Sequence, residues 1–560
     1  MESSDKQSYR GRHKSSREFS SRAEYLNHEL SIMNPKRWGL NLPGRDFRFE
    51  IEDIVPALAG TIGKVVMVAA VAGAWASAYG LAPDFIAENT RFEMIIVGLL
   101  FAILFSGLLN PRANLAGTHG PMIALVGAIA ASGGHPLALG VLVGIFGLFL
   151  SITKGGSRLI TLTGEGVRGG LLIYLGITGA IKFVGKLHVW FMNPANSNSG
   201  EALGYNTSIL LLLIIIVYAV LARLKMRWLS IPLCSAIALI VPLLLGSSFS
   251  WNNEPGIPHL SPTYWWGEES GWMMGWPDEP THWLAALPFA LLAVAMWPPD
   301  FLGHRVFQEL NYPKKNNCLM DADDTMTICS VRQIVGSVLG GSNLTSSWGT
   351  YMIPAAIAKR PIPGGAILTG VFCIVAAIAG YPIDLASWMP VVCIALLVGV
   401  FLPLMEAGMQ MIKDEKSAQS AGICIFSSML VNPVFGWVLT MFLDNQGLIG
   451  DSERGKKLKV ADRLIIPGIA LFVCTFAMAG VGIIKGVPAF LVNKTPQAEY
   501  QEAVKQQKTA EKALQAAQKA FEAAKTKAEA KAKAATAKAE RATQEAASYE
   551  EAKEKLNASQ

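Results

Sequence analysis

Charge is what this chain has least of. Only 16% of its 560 residues are Asp, Glu, Lys or Arg, 51% are hydrophobic, and the mean hydropathy is +0.35. That balance excludes a soluble globular protein of this length. The formal charge of +6 is spread over tails and loops, which excludes nucleic acid as a partner. Cysteine is sparse too: the seven at 234, 318, 329, 373, 393, 424 and 474 form no CxxC pair and fall mostly within apolar runs. Neither a disulfide framework nor a zinc site is expected. The sequence offers no nucleophile with a base, no paired metal ligands and no phosphate loop, so it points to no enzyme and no cofactor. No cleavable signal peptide is expected either, because residues 1–50 are polar and the first apolar run comes late.

What the chain does have is apolar runs of about 17 to 25 residues, the length that crosses a hydrocarbon core of roughly 30 Å. Seven are read at 54–81, 93–109, 118–132, 136–153, 168–186, 207–223 and 228–246. Five more follow at 283–299, 322–340, 347–359, 364–381 and 387–412, and then 418–443. Asn432-Pro433 disfavours a continuous helix, so the last run is read as two short helices, followed by an additional helix from Leu464 to about Leu491. The 10 Lys and Arg among residues 1–50 place the N-terminus in the cytoplasm by the positive-inside rule. That tail lacks a helical or strand period and is expected to be ordered only close to the membrane. Arg223-Leu224-Lys225-Met226-Arg227 should then lie inside. Residues 247–282, which contain no Lys or Arg, should lie outside. The five tryptophans of that loop, Trp251, Trp265, Trp266, Trp272 and Trp276, read as an interfacial belt or as an outer lid.

The resulting boundaries are a basic tail at 1–50, a first repeat at 51–246 and the Trp-rich loop at 247–282. A second repeat follows at 283–445, a basic loop with an additional hydrophobic helix at 446–494, and an Ala/Glu/Lys-rich helical or coiled-coil tail at 495–560. In that tail a seven-residue spacing joins Leu514, Phe521, Ala528, Ala535, Ala542, Tyr549 and Leu556. The companion positions turn into Lys531, Lys538 and Glu545, which leaves a weak seam.

One stretch occurs twice. Asn343-Leu344-Thr345-Ser346-Ser347-Trp348-Gly349-Thr350-Tyr351-Met352-Ile353 echoes Asn114-Leu115-Ala116-Gly117-Thr118-His119-Gly120-Pro121-Met122-Ile123. Each copy is polar and small, and each leads into an apolar run too short to span a bilayer, as in a half-helix that begins near the membrane midplane. Such starts present unpaired N–H groups and the positive end of a helix dipole. Two of them, one from each half, predict a substrate site in an inverted-repeat transporter; close helix packing through small residues is the alternative.

Few ionisable groups lie within the runs, and each costs at least about 2.5 kcal/mol on insertion scales. Lys64 sits about 15 Å past the start of the first helix at 1.5 Å per residue. It could pair with Asp300, attract an anion, or snorkel to the interface. Asp300 and His304, four residues apart and just after Pro298-Pro299, would share a helical face and could bind a proton or a sodium ion. Alternatively the helix ends at Trp297 and both are solvated. Arg112 is a further anion-attracting candidate.

Asp300-Phe301-Leu302-Gly303-His304 resembles the Glu-His-Val-Gly-His pattern of the nucleobase (uracil and xanthine) permeases. Ser346-Ser347-Trp348-Gly349-Thr350-Tyr351 is similar to their Thr-Thr-Tyr-Gly-Glu-Asn stretch, with Thr350 where a glutamate would stand. Gly117-Thr118-His119-Gly120-Pro121-Met122 looks closer to the Gly-Pro-Thr-Gly-Pro-Met pattern of the sulfate and bicarbonate permeases of the same superfamily. The resemblance covers roughly residues 50–445 and lacks the usual C-terminal regulatory domain, as in an atypical branch. It implies an all-α polytopic membrane protein with a 7+7 inverted-repeat transporter fold of about 14 transmembrane segments. Segments 1–4 and 8–11 would form a core and the rest a gate, and members are commonly homodimers. It also implies Asp300 as a substrate or ion ligand and His304 as a coupling residue.

The expected function is secondary active transport of a small anion, sulfate-like, bicarbonate-like or organic, across the plasma membrane with H⁺ or Na⁺. The substrate would meet Lys64, Thr118, His119, Gly120, Asp300, Thr345, Ser346, Ser347, Gly349 and Thr350, and the coupling ion Asp300 and His304. No resident metal is read beyond a Na⁺ near Asp300. The partners expected are the anion, the coupling ion, the lipid bilayer and a second copy of the chain. Three alternatives are a nucleobase permease, an uncoupled channel or facilitator, and a membrane scaffold built around the C-terminal tail.

Overall fold

The computed structural model describes residues 8–82, 84–193, 205–224, 226–247, 249, 255–380, 388–480, 525 and 531–556. The chain divides into two compact units, Met1–Ala489 and Phe490–Gln560. In the second, residues 531–556 form one exposed helix, stitched along its surface by pairs such as Lys555 with Glu551 at 2.6 Å. Lys225, Trp251, residues 481–491 of the additional helix and residues 495–524 of the tail lie outside the described residues.

Among the described residues the first unit is mainly helical, and its only β pairing is the isolated bridges Pro43↔Phe47 and Ala116↔Ser347. After α1 (Arg22–Ile32), the first half contains α2 (Ile54–Tyr79), α3 (Phe85–Leu109), α4 (Val126–Ala131), α5 (Pro136–Ile152), α6 (Gly155–Leu162), α7 (Glu165–Met192), α8 (Tyr205–Arg223) and α9 (Ser230–Leu244). The second half contains α10 (Pro280–Ala295), α11 (Trp297–Asn311), α12 (Ala322–Val338), α13 (Gly349–Ile357), α14 (Ile362–Ala379), α15 (Met389–Met411), α16 (Glu415–Leu430), α17 (Pro433–Gln446) and α18 (Ile466–Gly480). Nine of the described helical spans are long and apolar enough to cross a membrane, and α5 with α6, bent by 67°, would make a tenth. The chain is a multi-pass membrane protein.

The helix starts follow local chemistry. The Asp321 carboxylate accepts from Asp324 N–H ahead of α12, whose first turn also carries Asp323 and Asp324, and negative charge there suits the helix dipole. Asn432 caps α17 and Pro433 takes its first position, where a missing N–H costs nothing. The chain therefore breaks between α16 and α17 instead of running on. Pro298 and Pro299 act in the same way: they start α11 after a one-residue interruption at Met296. Asp300 and His304 thus lie on a continuing helix and not past the end of one.

The two halves pack in exchanged pairs. α3 lies along α14 and α5 along α12, while α2 contacts α14 and α10 contacts α5. Swapping each helix of the first half for its counterpart in the second reproduces the pairing. α7 and α15, counterparts of one another, pack together. Glycines make these approaches close: a Cβ on Gly98 of α3 would come within 2.7 Å of the Gly370 carbonyl of α14.

Two expectations are corrected. The N-terminal tail is folded from Ser8 onward, with α1 and a run of ion pairs that no hydrophobic period announces. The Arg37 guanidinium meets Asp324 at 2.7 Å, Arg22 meets Glu52 at 2.6 Å, and Arg360 meets the buried Asp53 at 2.8 Å. Nor do Trp265, Trp266 and Trp272 form a belt facing lipid, for all three are at most 1% exposed. Their indole N–H groups donate to carbonyls: Trp266 to Ser337 at 3.1 Å, Trp272 to Gly340 at 2.9 Å and Trp265 to His259 at 2.7 Å. The first two tie the indoles to the turn that closes α12, where Ser337 O also accepts from Gly340 N–H at 3.0 Å. Trp276 is half-exposed.

Candidate functional site

The two echoed segments meet. Residues before α4 and α13 run antiparallel, paired by the Ala116↔Ser347 bridge. His119 N–H donates to Leu344 O at 2.7 Å and Trp348 N–H to Leu115 O at 3.0 Å. With Asn114-Leu115-Ala116-Gly117-Thr118-His119-Gly120 aligned on Asn343-Leu344-Thr345-Ser346-Ser347-Trp348-Gly349, these two bonds are counterparts. Gly117 N–H donating to Ser346 O at 2.6 Å sits at the middle of the exchange. The side chains follow suit: Asn114 Nδ2 donates to Ser347 Oγ at 2.7 Å, and Asn343 Nδ2 donates to Gly117 O at 3.2 Å. The crossing admits no side chain at Gly117, whose Cβ would lie 2.8 Å from Trp348 Cα.

Around the crossing, α2 and α11 supply the charged groups. Lys64 of α2 is 1% exposed. Its Nζ donates to Thr118 Oγ1 at 3.1 Å and lies 5.2 Å from the centre of the Trp348 ring. Among the described residues no carboxylate stands within ion-pair distance of it. On the other side, Asp300 of α11 accepts a short hydrogen bond from the Ser346 hydroxyl, and its second oxygen is 3.7 Å from His304 Nε2. The other ring nitrogen of His304 lies 2.8 Å from Ser347 Oγ. The Asp300 side chain is 35% exposed and that of His304 5%. A cation and a carboxylate therefore flank one crossing, each tied to a hydroxyl of a different echoed segment.

The remaining predicted residues divide. Gly349 and Thr350 open α13, ahead of the first intrahelical bonds of the turn, Tyr351 and Met352 N–H to Trp348 O. The place of a Cβ on Gly349 is 2.6 Å from His304 Nε2. Thr350 Oγ1 accepts from the Trp348 indole at 3.0 Å, and Gly63 of α2 lies against its side chain. His119 is buried, with Nε2 lacking a partner among the described residues. Gly120 faces the Met67 methyl group. Thr345 is turned away, its hydroxyl accepting from Arg332 Nη1 at 2.8 Å. Arg112 stands outside the cluster, where its carbonyl accepts from Asp321 N–H at 2.7 Å.

A second set of residues, not foreseen, holds the crossing in place. Arg332 of α12 donates to Asn343 O at 3.0 Å and makes a short ion pair with Glu93 of α3. Glu93 in turn accepts from Asn343 N–H at 3.0 Å. Gln333 takes Thr345 N–H at 2.6 Å and Asn89 takes Ser342 N–H at 3.0 Å. Backbone that leaves helical form inside a membrane protein needs such partners. The signal was present: two charged residues inside apparent spans, which call for a mutual partner.

A family model described as "Protein of unknown function (DUF3360)" matches residues 2–491. Among curated proteins, none matches the chain in sequence. Among solved structures, SLC26A9 is similar at 13% identity with a TM-score of 0.38, over 71% of this chain and 66% of that one. The murine anion transporter Slc26a9 in its inward-facing state is similar at 12% identity and 0.38, over 71% and 68%. The transmembrane domain of the cyanobacterial bicarbonate transporter BicA is similar at 15% identity and 0.35, over 77% and 98%. The chain thus spans about two thirds of the length of the SLC26A9 chains.

Proposed function

This chain belongs to the DUF3360 family, and we propose that it is a secondary active transporter of a small anion. One observation carries the reading: the Lys64 ammonium is buried at the crossing with a hydroxyl and an indole ring but, among the described residues, no carboxylate. A buried charge left without a counter-charge is strongly unfavourable. By contrast the buried Arg332 and Arg360 each have an acid, Glu93 and Asp53. An anionic solute supplies the missing charge, with Thr118 and the N–H groups opening α13 as further donors.

Asp300 and His304 serve coupling in this proposal. A proton suits them, because the carboxylate already faces an imidazole and a hydroxyl that can exchange hydrogen bonds as it protonates; Na⁺ beside Asp300 is the alternative. The exchanged packing supports two inverted seven-segment repeats, with α2–α5 and α10–α14 as core and α7–α9 and α15–α17 as gate. Alternating access then follows from core motion against gate. We place the protein in the plasma membrane as a homodimer, with the basic N-terminus in the cytoplasm.

The test is uptake into proteoliposomes of labelled bicarbonate, sulfate and formate against uracil and xanthine, under an imposed proton or sodium gradient. Gradient-driven anion uptake, lost as concentrative transport in Asp300→Asn, is expected. Uptake of nucleobases alone overturns the anion reading. Concentrative uptake that survives in Asp300→Asn removes the coupling role.

A further inference from the structure

At the opposite ends of α11 and α13 from the crossing lies a pocket lined by Arg227, Phe307, Asn311, Ile357, Glu406 and Gln410. It is not a separate region of the fold. Asp300, His304, Phe307 and Asn311 recur at helical spacing along one face of α11, so the pocket continues the face that bears the site. Thr350 and Ile357 stand in the same relation on α13. Across from them, Glu406 and Gln410 lie one turn apart on α15, a gate helix in the assignment above. The pocket thus opens between the two bodies whose relative motion the transport reading requires.

Its chemistry is a two-donor cradle that is already filled. Arg227 Nη2 donates to one oxygen of Glu406, and the Tyr218 hydroxyl donates to the other at 3.1 Å. Arg227 also reaches the Tyr218 oxygen, and its guanidinium lies 5.4 Å from the centre of that ring. Arg227 Nε is buried with no partner among the described residues. The guanidinium and the phenol together grip a carboxylate by both oxygens, which is how oxyanions are recognised. Both members of the ion pair stay 35% exposed, so the grip can be exchanged with a solute in the pocket.

We infer that Arg227 and Tyr218 form a second anion site, a port in which Glu406 holds the place of an incoming planar oxyanion such as a carboxylate or bicarbonate. The inference rests on the anion reading above. An arriving oxyanion displaces Glu406 from Arg227, and from there the shared face of α11 leads towards His304 and Asp300. When no solute is present Glu406 closes over the guanidinium, so the port carries no uncompensated charge.

The test uses the full chain in detergent, followed by thermal unfolding during titration with formate, bicarbonate and sulfate at constant ionic strength. In Lys64→Met, where the crossing is silent, formate or bicarbonate still stabilises the protein saturably. Adding Glu406→Gln, which removes the competing charge, lowers the half-saturating concentration by about threefold or more, and adding Arg227→Gln abolishes the response. The port is overturned if Lys64→Met loses all response while the wild type keeps it, for binding then belongs to the crossing alone. It is equally overturned if Lys64→Met/Arg227→Gln responds like Lys64→Met. Should Arg227→Gln fail to fold, an unchanged half-saturation in Lys64→Met/Glu406→Gln overturns it instead. No response of any form to any of the three anions removes both the port and the anion reading.

Discussion

Thr118 and Ser347 are counterparts in the two echoed segments, and each hydroxyl is met by a titratable side chain from a different half. Lys64 reaches Thr118 at 3.1 Å and His304 reaches Ser347 at 2.8 Å. The symmetry of the backbone therefore carries an asymmetry of charge, positive at one hydroxyl and, through Asp300, negative beside the other.

Lys64→Met should make the solute-free protein more stable. The substitution keeps the length of the side chain and removes a cation that has no carboxylate within reach among the described residues, a charge that costs about 2.5 kcal/mol or more on insertion scales. Thermal unfolding in detergent checks the gain. A lower melting temperature would mean that the ammonium has a partner which stabilises it.

Gly349→Ala should damage transport through His304. Its Cβ would stand 2.6 Å from His304 Nε2, and relieving that overlap moves the ring from Asp300 and Ser347 at a cost of about 1–3 kcal/mol. Gradient-driven uptake should fall about tenfold or more, the factor that about 1.4 kcal/mol represents. Gly422→Ala, where nothing lies within 4 Å, serves as the control and should leave uptake unchanged.

Glu93→Gln should destabilise the crossing more than any substitution at the solute. It leaves Arg332, wholly buried beside Asn343 and Thr345, without its carboxylate, a loss of about 3–5 kcal/mol. Glu93→Gln/Arg332→Met should recover part of that stability in the same unfolding measurement. A double variant no better than the single one would show that Arg332 matters for its backbone bonds and not for its charge.

Acid should loosen the Trp cluster at His135. Burial lowers the pKa of this residue from 6.5 to about 4. Its Nδ1 accepts from Leu137 N–H at 3.1 Å as the cap of α5, while Nε2 faces Gly275 O at 3.1 Å. Only the neutral ring can do both. The folded state therefore takes up its proton later than the unfolded chain, so this contribution to stability is complete above pH 6.5 and is lost as pH falls through about 4. Tryptophan emission should shift over that interval, since the Trp266 ring lies tilted 5.2 Å from the imidazole, and the shift should vanish in His135→Gln.

The sequence made the crossing legible because it is written twice, and a duplicated run of small and polar residues before a short apolar helix has few other uses. Asp300 and His304 were legible through their spacing. Thr345 was not, because a hydroxyl in the motif looks the same whether it faces a solute or Arg332. Glu93, at the edge of the run 93–109, and Arg332, in the middle of the run 322–340, escaped notice because hydropathy alone absorbs a single charge in a long apolar run. The folded N-terminal segment was hidden for a different reason: Arg22, Arg37 and Asp53 order it through ion pairs to distant positions, and these leave no periodic trace.

Counterflow tests the account most directly. Proteoliposomes loaded with the transported anion exchange label without any ion gradient, so the result depends on the solute site alone. Wild-type protein should exchange, Lys64→Arg should retain part of the exchange, and Lys64→Met should lose it while still folded and monodisperse. Full counterflow by Lys64→Met would contradict the claim that this ammonium holds the anion.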